Sequence, residues 1–102
     1  MTVLHTVNKS PYERHSLETC LRLAEKGSSV LLIEDAVYAA ANDSVASEIL
    51  AQAMQRVSVY VLGPDLRARG LQQSRLLEGV KDVDYRGFVR LVTEHKGILS
   101  WL

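Results

Sequence analysis

The sequence contains very little cysteine, and none of its apolar runs is long. Cys20 is the only cysteine in the chain, so no disulfide can form within it. A lone thiol without a recognisable signal peptide is typical of a protein kept in a reducing compartment. No apolar stretch approaches the roughly 20 residues that a membrane-spanning helix needs. We therefore expect a cytoplasmic protein that does not contact a membrane.

The chain also lacks an excess of either charge. Twelve lysines and arginines balance twelve aspartates and glutamates, and no block of like charges resembles a nucleic-acid-binding tail. Direct binding to nucleic acid is therefore not expected. A length of 102 residues, of which 47% are hydrophobic, predicts a single domain over residues 1–102 with a core of modest size.

Motifs for nucleotide and metal sites are missing as well. The loop Asn8–Pro11, which follows the first predicted strand, has no glycine, whereas phosphate-binding loops need glycines for close backbone approach. His5, His15 and His95 lack the close spacing of a zinc-binding pair. Glu34–Asp35 supplies only one of the two acidic strand ends that a phospho-acceptor domain needs. We expect no organic cofactor and no metal.

Apolar and β-branched runs alternate with helical patterns along the chain. The run at residues 29–33 is apolar without alternation, as expected of a parallel strand that is covered on both faces. The order of the elements predicts an α/β fold with a mainly parallel sheet of about five strands and helices on both faces. The predicted strands are Val3–Val7, Ser29–Ile33, Val57–Leu62, Val80–Tyr85 and Ile98–Leu102.

The first predicted helix contains Cys20. Its start is ambiguous, because Ser10 can cap a helix that begins at Pro11, and Ser16 can cap one that begins at Leu17. Gly27 is expected to end it. Its inner face consists of Leu17, Cys20, Leu21 and Ala24.

Two further helices and one loop follow. Asp43 or Ser44 can cap the second helix. The composition of residues 65–79 predicts a polar loop that can include a short third helix. The inner face of the second helix is Val45, Ala46, Ile49, Leu50, Ala53 and Met54, and that of the last helix is Phe88, Val89, Leu91 and Val92.

Binding sites in parallel sheets lie beyond the carboxyl ends of the strands. The loops Asn8–Tyr12, Glu34–Ala41 and Gly63–Gly70 are therefore the places to inspect. The third loop carries Arg67 and Arg69, whose guanidinium groups suit a carboxylate, a phosphate or the acidic face of a partner. Ordinary solvated surface is the alternative explanation.

Cys20 is the one nucleophile that the sequence offers for sulfur chemistry. Only a thiolate can attack or carry sulfur, and an unperturbed thiol with a pKa of about 8.5 is mostly protonated at neutral pH. A helix that begins near Ser16 would stabilise the anion somewhat, while one that begins at Pro11 would not. His15 lies five residues away and on another face, so a Cys–His dyad is not expected. The phase of Cys20 with Leu17 and Leu21 favours packing in the core, and both roles stay open.

Four stretches, taken in order, resemble the DsrH/TusB family of small subunits from the DsrEFH and TusBCD sulfur-relay complexes. None of the stretches is specific alone, but the ordered set spans nearly the whole chain. They are Leu4–Thr6 with Ser10–Pro11, Leu31–Ala40, Val59–Leu62 continuing to Asp65–Leu71, and Asp84–Tyr85 with Phe88–Leu91 and Trp101.

The resemblance implies a DsrE-like three-layer sandwich within a hetero-hexamer. The sister subunits would be DsrE/TusD-like and DsrF/TusC-like, and the complex would pass persulfide sulfur to a DsrC/TusE-type carrier. No cofactor is needed, because sulfur moves by exchange between thiolates. The chain alone is expected to lack a complete active site. The apolar last strand, Ile98–Leu102, would benefit from the cover of a partner.

The resemblance leaves the pathway open. Some TusB-type members lack a cysteine at the position of Cys20, whereas DsrH-type members have one, so the leading expectation is a subunit for intracellular sulfur oxidation with Cys20 as a possible persulfide carrier. One alternative is a TusB-type subunit that supports 2-thiouridine formation in tRNA. A second is a purely structural subunit in which Cys20 packs. A third is an independent ligand-binding domain that uses Arg67 and Arg69.

Overall fold

The computed structural model describes residues 2–102, in which five strands alternate with four α-helices. The strands are β1 (Val3–Val7), β2 (Ser29–Leu32), β3 (Ser58–Leu62), β4 (Lys81–Val83) and β5 (Gly97–Trp101), and the α-helices are α1 (Ser16–Leu23), α2 (Ser47–Ala53), α3 (Gly63–Ala68) and α4 (Tyr85–Glu94). Two 3₁₀ helices, Glu34–Ala40 and Gln73–Arg75, lie in the connections.

The five strands form one sheet in the order β4-β3-β2-β1-β5. Every pair of neighbours is parallel, which confirms the predicted α/β class and the predicted sheet. All four residues of β2 are buried, in agreement with the unbroken apolar pattern of that segment. The sheet is therefore covered on both faces at its centre.

The helices cover the two faces unequally. The chain moves in one direction from β1 to β4, so right-handed crossovers place the intervening helices on the same face. The connection from β4 to β5 runs back across the sheet and places α4 alone on the other face. Leu4 and Leu31 pack with Leu91 of α4 in a smaller core cluster, while α1, α2, α3 and Glu34–Ala40 share the larger cluster. This arrangement confirms the expected three layers.

Helix α1 begins at Ser16, one residue before the later of its two predicted starts. Ser16 is not its cap, because His15 occupies the capping position and the Ser16 hydroxyl donates to the Leu102 carbonyl. The capping sequence at Ser10 forms only a turn, in which the Ser10 carbonyl accepts hydrogen bonds from the amides of Glu13 and Arg14. The helix is therefore short, and no side chain caps its first turn.

The prediction that Gly27 ends α1 is wrong, because the helix stops at Leu23. The Arg56 guanidinium donates hydrogen bonds to the carbonyl oxygens of Leu21 and Ala24, and it satisfies the helix end before Gly27 is reached. Gly27, with a φ of +90°, instead turns the chain into β2.

Three further details differ from the sequence-based expectations. Gly63–Ala68 is a helix with Pro64 in its first turn, a position where proline is favoured. Ser44 does not cap α2; its hydroxyl accepts from the Ala46 amide and donates to the Ala39 carbonyl, fixing the preceding turn. Val45 and Val89, predicted to face inward, are 67% and 63% exposed, because α2 starts only after Val45 and no second helix flanks α4.

Strand β5 forms one edge of the sheet and pairs with β1 along its whole length. The Trp101 indole N–H donates to Nδ1 of the buried His5, with 3.0 Å between the two nitrogens. Ile98 and Leu99 are about half exposed, at 51% and 48%. The last strand is thus tied to the sheet while part of its apolar surface remains uncovered.

None of the helices within residues 2–102 has the length and apolar composition needed to cross a bilayer.

Replacing Gly87 with alanine tests how tightly α4 lies against the sheet. A Cβ at Gly87 would approach the Val83 Cβ to 2.9 Å, so we expect Gly87→Ala to lower the free energy of unfolding by about 1–2 kcal/mol despite the better helix propensity of alanine. Urea denaturation of the purified chain measures this. Gly97→Ala, where no atom lies within 4 Å of the new Cβ, is the control and should not destabilise; equal effects of both variants would contradict the prediction.

The buried imidazole of His5 predicts a pH-dependent stability. Burial lowers the pKa of His5 from its ordinary value of 6.5, so at mildly acidic pH the folded chain binds fewer protons at His5 than the unfolded chain. The contribution of His5 to the free energy of unfolding is therefore present above pH 6.5 and is lost as the pH falls below 6.5. Between pH 7.5 and 5.5, the wild type should therefore lose more stability than His5→Gln. His15→Gln, at an exposed position, should retain the wild-type pH dependence.

Candidate functional site

The structure places Cys20 in the hydrophobic core. The residue lies in α1, is 0% exposed, and belongs to the same cluster as Leu17 and Leu21. Burial raises the pKa of the thiol to about 12, and the positive charge of Arg56 opposes this only in part. The thiol is therefore protonated at neutral pH and out of reach of a bulky sulfur donor. This environment favours the packing role of Cys20.

The loop after β2 is held by contacts from α3. The amide of Glu34, whose φ of 49° lies in the left-handed region, donates to an Asp65 carboxylate oxygen at 2.7 Å. Arg69 Nε donates to Asp35 Oδ1 at 2.9 Å, and this hydrogen bond raises the pKa of Arg69. Arg69 thus links the 3₁₀ helix Glu34–Ala40 to α3, whereas Arg67 pairs with Asp82. Ligand binding by Arg67 and Arg69 together stays a prediction.

A cleft opens where β3 and β4 end. The connections that follow these neighbouring strands go to opposite faces of the sheet, and ligands of open α/β sheets bind at such a point. The cleft has a volume of about 450 Å³ and, of the residues singled out in the sequence, contains Arg67. We call it the arginine cleft; its lining residues are Arg67, Asp82, Val83, Asp84, Arg86, Gly87 and Arg90.

Within residues 2–102, the carboxylates in the arginine cleft have hydrogen-bond or ion-pair partners, whereas Arg86 and Arg90 have no ion-pair partner. Asp84 Oδ1 accepts a hydrogen bond from the Gly87 amide at 2.8 Å and caps α4. Asp82 pairs with Arg67 at 3.5 Å. Within residues 2–102, no carboxylate lies within ion-pair distance of Arg86 or Arg90.

This cleft could not be predicted from the sequence, because its parts come from separate segments. The signal that could have indicated it is the helix-capping Asp84 followed by Arg86 and Arg90, one helical turn apart. The contribution of Arg67 depends on α3, which the sequence had suggested to be a loop. Only the sheet order brings these segments together.

The three histidines make separate structural contacts. His5 accepts from Trp101, the exposed His15 lies 3.7 Å from Glu18, and the ring of His95 contacts the Leu91 carbonyl and the Ser29 hydroxyl. Within residues 2–102, no three His, Cys, Asp or Glu side chains are grouped so that they could hold a metal ion.

Comparison with known proteins gives full-length matches. The family model described as "DsrH like protein" matches residues 9–98. Protein TusB from Pectobacterium parmentieri is 39% identical over 100 residues, covering 97% of this chain and 100% of the relative. Protein TusB from Klebsiella pneumoniae is 39% identical over 99 residues, with the same coverage.

Solved structures share the fold at lower identity. The crystal structure of the ychN protein from E. coli aligns with a TM-score of 0.80 at 20% identity and covers 99% of both chains. A protein from Methanobacterium thermoautotrophicum aligns with a TM-score of 0.77 at 23% identity and covers 97% of both chains. These two likenesses support the architecture and carry nothing about activity.

Cys20 should react slowly with thiol reagents while the chain is folded. Because burial raises the pKa of the Cys20 thiol to about 12, its thiolate fraction near neutral pH is roughly a thousandfold below that of an unperturbed thiol. We expect alkylation by iodoacetamide to be more than a hundredfold slower in buffer than in concentrated urea. Mass spectrometry at timed intervals measures both rates. Comparable rates in the two conditions would show that the thiol is accessible in the native state.

Proposed function

The chain belongs to the DsrH/TusB family, and from that premise we propose that it is a TusB-type subunit of a sulfur-relay complex that supports 2-thiouridine formation in tRNA. The observation that carries the proposal is the match, over the full length of each relative, to proteins named TusB at 39% identity. The sequence had favoured sulfur oxidation because Cys20 is present. The relatives at 39% identity are nevertheless named TusB, so the alternative pathway is now preferred.

The proposed role of Cys20 is to pack rather than to carry sulfur. Sulfur exchange requires a thiolate and access to it, and Cys20 lacks solvent exposure and has a strongly raised pKa. Sulfur would then pass through thiols of the sister subunits to a TusE-type carrier, while this chain shapes the assembly.

We propose that β5 carries the contact with a sister subunit. Ile98 and Leu99 are about half exposed, and Leu102 is 79% exposed. An edge strand also presents unpaired backbone donors and acceptors, which a neighbouring chain can satisfy. A hetero-hexamer of DsrE/TusD-like, DsrF/TusC-like and DsrH/TusB-like chains would cover this edge.

Complementation tests the proposal directly. In cells deleted for the gene of this chain, we expect wild type and Cys20→Ala to restore 2-thiouridine in tRNA to within about twofold of each other, because a packing residue can be replaced by a small apolar one at a modest cost in stability. Ile98→Asp/Leu99→Asp should reduce both 2-thiouridine and the amount of co-purified sister subunits by about tenfold. Mass spectrometry of digested tRNA measures the nucleoside.

Val45→Asp is the matched control, since Val45 is an exposed valine outside the sheet edge, and it should behave as wild type. Circular dichroism of the purified variants separates loss of assembly from loss of folding. Failure of the wild type to restore 2-thiouridine, with the sisters still bound, would contradict the tRNA role and favour sulfur oxidation. A stable monomer that ignores the sisters would instead favour an independent ligand-binding domain.

A further inference from the structure

The outward surface of α4 combines arginines with exposed apolar side chains. Arg86 and Arg90 lie one turn apart, and so do Tyr85 and Val89, which are 58% and 63% exposed. Because each pair is separated by four residues, the two pairs form adjacent rows along the helix. Tyrosine and arginine are enriched at protein–protein interfaces.

The row formed by Arg86 and Arg90 lines the arginine cleft, which has a volume of about 450 Å³. Asp82 is paired with Arg67 and Asp84 caps the helix. Among residues 2–102, no ion pair joins either carboxylate to Arg86 or Arg90. The guanidinium groups of Arg86 and Arg90 therefore offer unused donors in a planar fork that fits carboxylates. The spacing of one turn, about 5.4 Å, suits two acidic side chains of one segment.

The position of the cleft makes it accessible in an assembly that uses β5. Strand β4 lies at one edge of the sheet and β5 at the other. A sister subunit that covers β5 consequently leaves the arginine cleft open. The cleft can thus receive a partner other than the one proposed for β5.

We propose that α4 and the arginine cleft dock an acidic, amphipathic segment of a partner protein, whose carboxylates pair with Arg86 and Arg90 and whose apolar side chain packs on Tyr85 and Val89. Nucleic acid is the less suitable occupant. Its evenly spaced phosphates would pass over the carboxylates of Asp82 and Asp84, and the chain has no net positive charge to attract a polyanion.

Nuclear magnetic resonance on the full chain tests the docking site. The probe is a short, end-capped alanine-based peptide with two glutamates four residues apart and a leucine beside them, titrated to millimolar concentration. We expect shifts confined to α4 and the end of β4, including the Gly87 amide and the Nε signals of Arg86 and Arg90. The matched peptide with glutamines should bind about tenfold more weakly.

Arg86→Glu/Arg90→Glu should weaken binding of the glutamate peptide by about tenfold or more, whereas Arg14→Glu, at an exposed arginine elsewhere, should not change it. A short single-stranded oligonucleotide serves as the phosphate source. No shifts in the cleft at millimolar peptide, equal binding of the glutamine peptide, or tighter binding of the oligonucleotide would each overturn the proposal. The readout is independent of sister subunits and of 2-thiouridine, so its failure is distinguishable from failure of the proposed function.

Discussion

The parallel direction of all five strands determines where the rest of this fold can lie. Parallel neighbours need crossover connections, and the right-handed sense of those connections assigns each helix to a face. The three connections from β1 to β4 run in one direction and place α1, α2 and α3 on one side of the sheet. The connection from β4 back to β5 places α4 alone on the other side. The half-exposed surface of β5 and the cleft beside α4 both follow from this imbalance.

The class of the fold was predictable because it depends on patterns within short segments. The unbroken apolar run of β2 indicated a strand covered on both faces, and Leu17, Cys20 and Leu21 indicated the buried side of α1. The residues at which helices and strands end were harder to predict, because they depend on contacts with distant residues. Arg56 ends α1 from another part of the chain, and no periodicity in α1 itself records that contact. The arginine cleft was missed for the same reason.

The presence of Cys20 in the sequence does not by itself indicate that its thiol is reactive. Its position in α1 puts it in phase with the leucines that fill the larger core, and the same burial that makes it useful for packing keeps its thiol protonated. If Cys20 only packs, as proposed, the chain contributes to the relay through its surfaces. The two surfaces described above, β5 and the outer side of α4, lie on different elements and differ in character. The first is apolar with an open backbone, and the second combines guanidinium groups with apolar side chains.

The pairing of β1 with β5 has a consequence for how the polypeptide is made. Of the five strands, β1 is translated before the other four and β5 after them, yet Val7 stands opposite Trp101 in the finished sheet. Until β5 is made, β1 therefore exposes a hydrogen-bonding edge and the His5 ring that Trp101 later engages. A strand from a neighbouring nascent chain has the same geometry to offer, so strand exchange competes with native closure until β5 emerges.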